Sequence, residues 1–552
     1  MFNKRPFTRT AVLTAAFLTL ILLLAAKQTP VKSAEIDNDP LEPTATITIN
    51  AAGPTTAIDY RLFGTNVPAW ITPYLLDNAT FQAQTIASGL TVIRLPGGSW
   101  SNYYNWLDCE QNGVCPWDWG VSRPTDFINY MKDVGVQAMY TVNQNNTSKE
   151  AAALVAFFNG SVNDNTTIGV DVHGVDWGKV SDWAQLRSAH GNPQPINIKL
   201  WEVGNEIYGG TPNSGTDCTA WGWEEVWTCD GTEYVNGIGS GANRKEGYLE
   251  FRNAMRAVDP TIMVGAVGVS DQADWSNWGN EVITAAGSVM DFYIVHQYGY
   301  GGAAGSMADA LALPEATWQP MMADIEASFD QHAGGRQVPI AITEHNLFAF
   351  EGLDSGDWMS RAVNALYVAD TLGQMMENGF DMANQWDLAH GLEGDNAAYG
   401  MMKSYAPFPR SPQYYVFPLW TRFGDHLLPV TSSLPSDTTL SVYAGKSGSG
   451  NYSLLAINKT GNPISADITW NGVSTFTNGV VDVMQASSLN STSVTFNGQS
   501  NPSPNLSNAP SSSLPNPGNP TSYTFAPYSV TLLRLSFPIN FDHHVYLPTA
   551  IK

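Results

Sequence analysis

The amino-acid sequence points to an α/β architecture, a (β/α)8 TIM barrel with a β-sandwich domain formed from the N-terminal strand and the C-terminal region. Between Ala57 and Phe408 short apolar runs alternate with helical patterns, the order of parallel βα units. From Leu427 to Phe537 the runs instead alternate residue by residue, separated by turns of Gly, Ser, Asn and Pro, which is a sandwich pattern. A chain of 552 residues, 43% hydrophobic and 11% aromatic, can fill a barrel-sized core and a second, smaller one.

Residues 1–33 carry Lys4, Arg5 and Arg9, then the apolar run Ala11–Ala26, then a polar stretch ending in small residues. That order predicts a secretory signal peptide cut before Ala34, with Val31 and Ser33 suiting the preceding positions, and hence a secreted, extracellular protein. An uncleaved membrane anchor is the competing reading, but the run is short for a span of about 20 residues. No stable membrane anchoring is expected after cleavage. Residues 34–56 hold the alternating segment ATITINA, expected to join the sandwich from the other end of the chain. Residues 57–410 are the barrel, whose eight strand candidates end near Asn66, Arg94, Asn143, Glu206, Gly268, Tyr298, Glu344 and Trp386. Between them Phe127, Tyr130, Met131 and Val134 repeat at helical spacing, and Thr147 with Glu150 reads as a capping box opening a helix that closes at Gly160. Tyr248, Phe251, Met255 and Val258 share one face of a helix that stops at Pro260. Residues 411–538 are the sandwich, with Asn497–Pro520 expected as a long exposed loop before its last strand. Residues 539–552 form a tail too short to be a domain, in which His543 and His544 read as a surface pair rather than a metal site.

Lys and Arg number 26 against 50 Asp and Glu, a net charge of −24. Such a field repels nucleic acid and polyanionic sugars, which leaves a neutral polysaccharide or oligosaccharide as the expected partner. The oligomeric state is not read from the sequence. The four cysteines fall into near neighbours, Cys109 with Cys115 and Cys218 with Cys229. In an exported chain they are expected to form two local disulfides, although three pairings are formally open. No histidine stands at ligand spacing beside either pair, so no metal is expected there.

Barrel enzymes place their chemistry at the carboxyl ends of the strands. Glu206 ends strand four in LWEVGNE and Glu344 ends strand seven in PIAITE. Two carboxyl groups delivered by separate strand ends are the minimum equipment for cleaving a glycosidic bond, and they need no cofactor. Glu206 is the expected general acid/base, which requires a raised proton affinity, and Glu344 the nucleophile, kept ionised by donors around it. Asn205 can hold the sugar hydroxyl next to the bond being broken, and Asn143, at the end of strand three, is a further candidate sugar ligand. His296 and Tyr298 face one way on strand six, with Gln297 turned aside. Tyr298 can donate to the nucleophile; His296 reads equally as a core residue or a site residue. Arg94 can orient a carboxylate at the barrel mouth or serve as a structural ion pair, and the two are compatible. Trp100, Tyr103, Tyr104, Trp106, Trp117 and Trp119 crowd one loop, and Trp221, Trp223 and Trp227 another. They read as walls of a sugar cleft or as loop cores, with Trp100 and Trp386 the individual choices for substrate binding.

With these residues placed, the chain resembles the clan of retaining glycosidases with the acid/base on strand four and the nucleophile on strand seven. Within it, the chain looks most like glycoside hydrolase family 51, the α-L-arabinofuranosidases, on the strength of RLPGGSWSNYYNW, WEVGNEIYG, HQY and PYSVTLLRL, while WEVGNE followed by ITEHN marks the clan and ITEHN resembles its endo-acting members as much. The resemblance implies Glu206 as acid/base, Glu344 as nucleophile, Asn205 as hydroxyl ligand and Tyr298 as the nucleophile's partner. It also implies a barrel paired with a sandwich built from both chain ends. Two positions depart from the pattern: strand one ends in FGTNVPAW without the usual acidic residue, and Ser99 follows the paired glycines where Asn is usual. Both touch sugar recognition and leave the bond-breaking groups alone. Arabinofuranoside release from hemicellulose is therefore the expected activity; an endo-glycanase of cellulase or xyloglucanase type and an inactive sugar-binding barrel are the alternatives.

Overall fold

The structure, a computed structural model, describes residues 45–112, 115, 120–209, 224, 226–393, 399–448 and 450–537. The predicted signal peptide, Cys218, Trp117, Trp119, Trp221, Trp223 and the tail lie outside them. Eight parallel strands close into a barrel: β1 (Gly64–Pro68), β2 (Val92–Gly97), β3 (Gln137–Val142), β4 (Leu200–Val203), β5 (Met263–Val267), β6 (Phe292–Tyr300), β7 (Ile340–Phe348) and β8 (Met382–Gln385). All eight fall where the apolar runs were read.

The barrel is filled by an apolar layer from Val92, Met139, Leu200, Phe292, Ile294, Ala341 and Met382. Two residues further along the strands the same inward positions turn polar: Arg94, Thr141, Glu202, His296, Thr343 and Asn384. A period of two keeps these on the interior face, so the barrel is a sealed core below and a polar floor above. Two register shifts modify the rule. Val295 pairs with Ile342 but His296 with Glu344, and Asn66 pairs with Arg94 but Pro68 with Gly97, so β7 and β2 each carry one extra residue. A bulge of this kind bends a strand and re-aims its side chains.

The helices follow the sequence reading. Pro124–Val134 buries Phe127, Tyr130, Met131 and Val134. Ser148–Asn159 is capped by the Thr147 side chain accepting from the Glu150 amide, and ends at Gly160. The Glu150 carboxylate accepts instead from Asn146, so only half of the expected capping box forms. Tyr248–Val258 buries Tyr248, Phe251 and Met255.

The sandwich takes Ala45–Asn50 into a four-stranded sheet, parallel to Ile464–Asn471, with alternate residues Ala45, Ile47 and Ile49 turned inward. The facing sheet is centred on Ser529–Ser536, flanked by Tyr452–Asn458 and Asn478–Gln485, and it extends to the short strand Thr56–Ala57. The stretch 497–520 is irregular as expected but not simply exposed, since Leu506, Ala509 and Leu514 are buried. Two strands follow it, Thr521–Phe525 and Ser529–Ser536. The sandwich packs closely on the barrel helix Ala362–Glu377, where a Cβ at Gly373 would lie 2.2 Å from the Tyr443 ring. Beside it Lys459, 4% exposed, pairs with Asp370 at 2.7 Å and donates to the carbonyl oxygens of Leu311, Ser436 and Asp437. Among the described residues no helix is long and apolar enough to cross a membrane.

Candidate active site

The residues chosen from sequence meet at the polar end of the barrel. β4 stops at Val203, so Asn205 and Glu206 lie in the turn just beyond the strand, and Glu206 holds a left-handed backbone at φ 44°. Strained positions of this kind persist where surrounding structure over-determines them, often at functional sites. One carboxylate oxygen of Glu206, one of Glu344 and a ring nitrogen of His296 all lie within 4.8 Å of one another.

Glu344 is held from two sides. Arg94 Nη1 lies 2.8 Å from its Oε1, and the Tyr298 hydroxyl donates to its Oε2 at 2.6 Å. The bulge in β7 allows both Thr343 and Glu344 to reach the site: Thr343 Oγ1 meets His296 Nε2 at 2.9 Å, while His296 Nδ1 meets Glu206 Oε1 at 2.9 Å. His296 thus bridges β7 to the turn after β4, which places it beside both glutamates rather than in the apolar core. Tyr208 adds a hydroxyl donated to Glu206 Oε1 at 3.2 Å.

Burial and the Glu206 charge raise the proton affinity of Glu344, while His296, Arg94 and Tyr298 pull it down. The net direction is upward, so the donors only partly offset burial, contrary to the simple expectation of a nucleophile held ionised by its partners. The Arg94 guanidinium is wholly buried, which opposes its charge, but Glu202 and Glu344 more than restore it. Arg94 Nε also pairs with Glu202, whose Oε1 accepts from Thr141 at 2.6 Å. Both readings of Arg94, ion pair and carboxylate orienter, therefore hold at once. The three side chains of the Glu206, His296 and Glu344 cluster are donors that a small cation could meet. A guanidinium and a phenol on Glu344 already meet both of its oxygens, however, and that arrangement suits proton transfer and attack by a carboxylate better than metal binding.

Asn205 is fixed through both ends of its amide. Its Oδ1 accepts from Arg94 Nη2 at 2.8 Å and its Nδ2 donates to Glu224 Oε1 at 3.0 Å. Asn143 turns its side chain back onto the Asn145 amide at 2.9 Å, so its oxygen caps the turn after β3 and takes no part in the network around the two glutamates. Trp386 and Trp100 are brought together by Trp70, whose ring centroid lies 5.0 Å from Trp100 and 5.7 Å from Trp386, both edge-on. Tyr104, Trp106 and Trp227 are buried, which is the loop-core alternative for those three. Cys109 and Cys115 form the expected disulfide; Cys229 is also disulfide-bonded.

Several residues of the site were not singled out in the sequence. Glu202 stands four residues before Glu206 on the inward face of β4, and the period-two rule alone could have found it. Asn66 donates to the Thr343 carbonyl and accepts from Arg94, so the end of strand one carries an amide where the resemblance leads one to expect an acid. Trp70 gave no signal beyond its closeness to that strand end. Glu224 gave none at all, because a lone Glu in a tryptophan-rich loop is ordinarily solvated.

No family model matches the chain. In sequence it is 24% identical over 233 residues to a probable α-L-arabinofuranosidase C of Aspergillus clavatus, covering 38% of this chain and 37% of that protein. It is 26% identical over 236 residues to an intracellular exo-α-(1→5)-L-arabinofuranosidase of Halalkalibacterium halodurans, covering 40% and 39%. The matches thus span about two-fifths of these relatives' lengths. In fold it is similar to the α-L-arabinofuranosidase of Thermotoga maritima in its arabinose complex, with TM-score 0.64, 18% identity, and 89% of this chain and 99% of that chain covered. The family 51 enzyme of Thermotoga petrophila gives TM-score 0.66 at 17% identity, with 89% and 100% covered. A family 44 xyloglucanase of Paenibacillus polymyxa shares the fold more distantly, with TM-score 0.56 at 13% identity, 89% and 99% covered. In sequence over part of its length, and in fold over nearly all of it, the chain is similar to the α-L-arabinofuranosidases of glycoside hydrolase family 51, within the clan of barrel glycosidases.

Proposed function

We propose that the chain is an exported, retaining glycoside hydrolase that releases α-L-arabinofuranose from a neutral, arabinose-bearing hemicellulose. The observation that carries the mechanism is the approach of Glu206 and Glu344 oxygens to within 4.8 Å. Retaining glycosidases hold their carboxyl pair about 5 to 5.5 Å apart, whereas inverting enzymes leave room for a water. In the first step Glu344 attacks the anomeric carbon while Glu206 gives its proton to the departing glycosidic oxygen, leaving a glycosyl ester on Glu344. In the second step Glu206 takes a proton from water, the hydroxide attacks the anomeric carbon, and the Glu344 carboxylate departs. Arg94 and Tyr298 keep the Glu344 carboxylate aimed, Asn205 binds the sugar hydroxyl beside the reacting carbon, and Trp100, only partly buried, offers a ring face to the sugar, with the more deeply buried Trp386 exposing at most a ring edge beside it. The choice of sugar is supported by the curated relatives, named as arabinofuranosidases. Export is supported by the composition of residues 1–33.

The test offers the purified protein a chromogenic α-L-arabinofuranoside alongside arabinoxylan, arabinan, xyloglucan and soluble cellulose. Free arabinose with the polymer length preserved is the expected result; short oligosaccharides without arabinose would move the reading to an endo-glycanase. Glu206→Ala is expected to lose about 10²- to 10⁴-fold in turnover on poor leaving groups. Glu344→Gly is expected to be inactive and to recover with azide, yielding the glycosyl azide of inverted configuration. Absence of that product would remove Glu344 as nucleophile.

A further inference from the structure

Behind the two reacting carboxylates lies a third. Glu224, in the loop after β4, is fully buried. Its Oε1 accepts from Asn205 Nδ2 at 3.0 Å and its Oε2 from Asn102 Nδ2 at 2.7 Å. The Ser99 hydroxyl bonds to it as well. Asn102 then closes the ring: its Nδ2 also donates to the Asn205 carbonyl at 2.8 Å, and its Oδ1 accepts from the Asn205 amide at 3.2 Å. Asn205 is therefore gripped at its backbone and at its side-chain nitrogen by one unit, and at its side-chain oxygen by Arg94.

Such a group is expensive to keep. Taking a carboxylate out of water costs several kcal/mol, which bonds from neutral amides offset only in part. The residue of that cost is visible: burial and the Glu206 charge push the Glu224 carboxyl up to about 8, against the pull of Ser99, Asn102 and Asn205. An apolar residue would fill the same volume without the penalty. What an apolar residue cannot do is accept from two amides at once and so decide which way each faces. With its Oδ1 turned to Arg94 by this grip, Asn205 keeps its Nδ2 edge toward Glu224 and cannot flip, since a flipped amide would set its nitrogen against the guanidinium. Ser99 is also one of the two positions where the chain departs from the arabinofuranosidase pattern, and here it serves this carboxyl.

We propose that Glu224 is a positioning residue for the reaction, clamping the Asn205 and Asn102 amides so that Asn205 presents a fixed face to the sugar hydroxyl next to the bond being broken. The proposal rests on the glycosidase reading given above and deepens it. Glu224 makes no contact with substrate; it acts through Asn205. The clamp predicts a defect confined to that one hydroxyl rather than a general loss.

The experiment compares two aryl glycosides of the sugar that the wild-type protein hydrolyses, one intact and one lacking its 2-hydroxyl, in the wild type, Glu224→Gln, Glu224→Ala and Asn102→Ala. The readout is the ratio of kcat/KM for the intact to the deoxy substrate, with thermal melting to show that each variant folds. Glu224→Ala is expected to lower the ratio by roughly five- to tenfold, the value of one or two well-placed hydrogen bonds, and the other two variants by less in the same direction. If the alanine variant does not fold, the isosteric Glu224→Gln decides. A ratio within about twofold of wild type in folded variants, with both substrates slowed equally, makes Glu224 a purely structural acid and overturns the proposal. Failure of the underlying reading looks different: the wild type itself then turns over no glycoside.

Discussion

At Arg94 one guanidinium serves Glu202, Glu344, Asn205 and Asn66 with no access to water. A buried charge is tolerated when it is paired and hydrogen-bonded, and here the four bonds also set the position of the Glu344 carboxylate and of the Asn205 amide. Tyr298 is the second constraint on Glu344, and it stabilises the ionised form. Tyr298→Phe removes a bond to a charged group worth about 1.5 to 3 kcal/mol, so kcat/KM is expected to fall roughly 10- to 100-fold. The sign on pH follows. Loss of a donor to the carboxylate raises its proton affinity further, so the acid limb of the kcat/KM profile moves to higher pH in Tyr298→Phe than in wild type. An unchanged limb would separate Tyr298 from the ionisation of Glu344. Asn205 and Glu206 were legible because they follow a buried strand, and Glu344 and Tyr298 because an apolar run leads into each, although β7 continues past Glu344 to Phe348 and β6 past Tyr298 to Tyr300. Glu202 was legible only as an inward-facing position of β4, and Glu224 not at all, because their partners come from strands and loops far away in the chain.

At the level of the element, the extra residue in β7 and that in β2 do what the alternation rule cannot. Strict alternation would send either Thr343 or Glu344 away from the barrel axis; the bulge lets both face His296 and Tyr298. The extra residue in β2 precedes Gly97 and Gly98, and Gly98 has φ 79° and ψ −176°, a region open almost only to glycine. A Cβ there would stand 2.3 Å from the Trp386 ring. Gly98→Ala therefore combines backbone strain with overpacking, each about 1 to 3 kcal/mol, and displaces Trp386 from Trp70. The expected outcome is a stability loss of at least about 2 kcal/mol in denaturant melts together with weakened substrate binding, read as a raised KM. A variant that melts and binds like wild type would show that Trp386 moves freely and is no fixed wall of the site.

Over the whole molecule the charge of −24 and a set of buried acids act in the same direction. Burial raises Glu224 to about 8, and raises Glu344 and Asp387 above their ordinary range. A carboxyl with a raised value in the fold binds more protons folded than unfolded, so its contribution to stability is full below about pH 4 and declines as pH rises toward the folded value. Asp482 acts oppositely: despite its burial, Arg534 and Arg422 hold it low, so its contribution is present at neutral pH and is lost in strong acid. Stability is thus expected to peak on the acid side of neutrality and to fall by on the order of a few kcal/mol between about pH 5 and pH 8. Urea midpoints across that range check it, and a rise in stability toward pH 8 would contradict the burial of these groups.

The succession of apolar runs and helical patterns was sufficient for the barrel, its eight strands, the return of ATITINA to the sandwich and the choice of Glu206 and Glu344. These follow from local periodicity and from the rule that barrel chemistry sits at strand ends. Folding alone settled the rest. It gave β7 its bulge, turned Asn143 back into its own loop, packed Trp70 between Trp100 and Trp386, and gathered Glu202 and Glu224 behind Arg94 and Asn205. Each of those facts depends on contacts between segments tens to hundreds of residues apart, and hydrogen bonds or ring contacts over such separations leave no periodic trace in the chain.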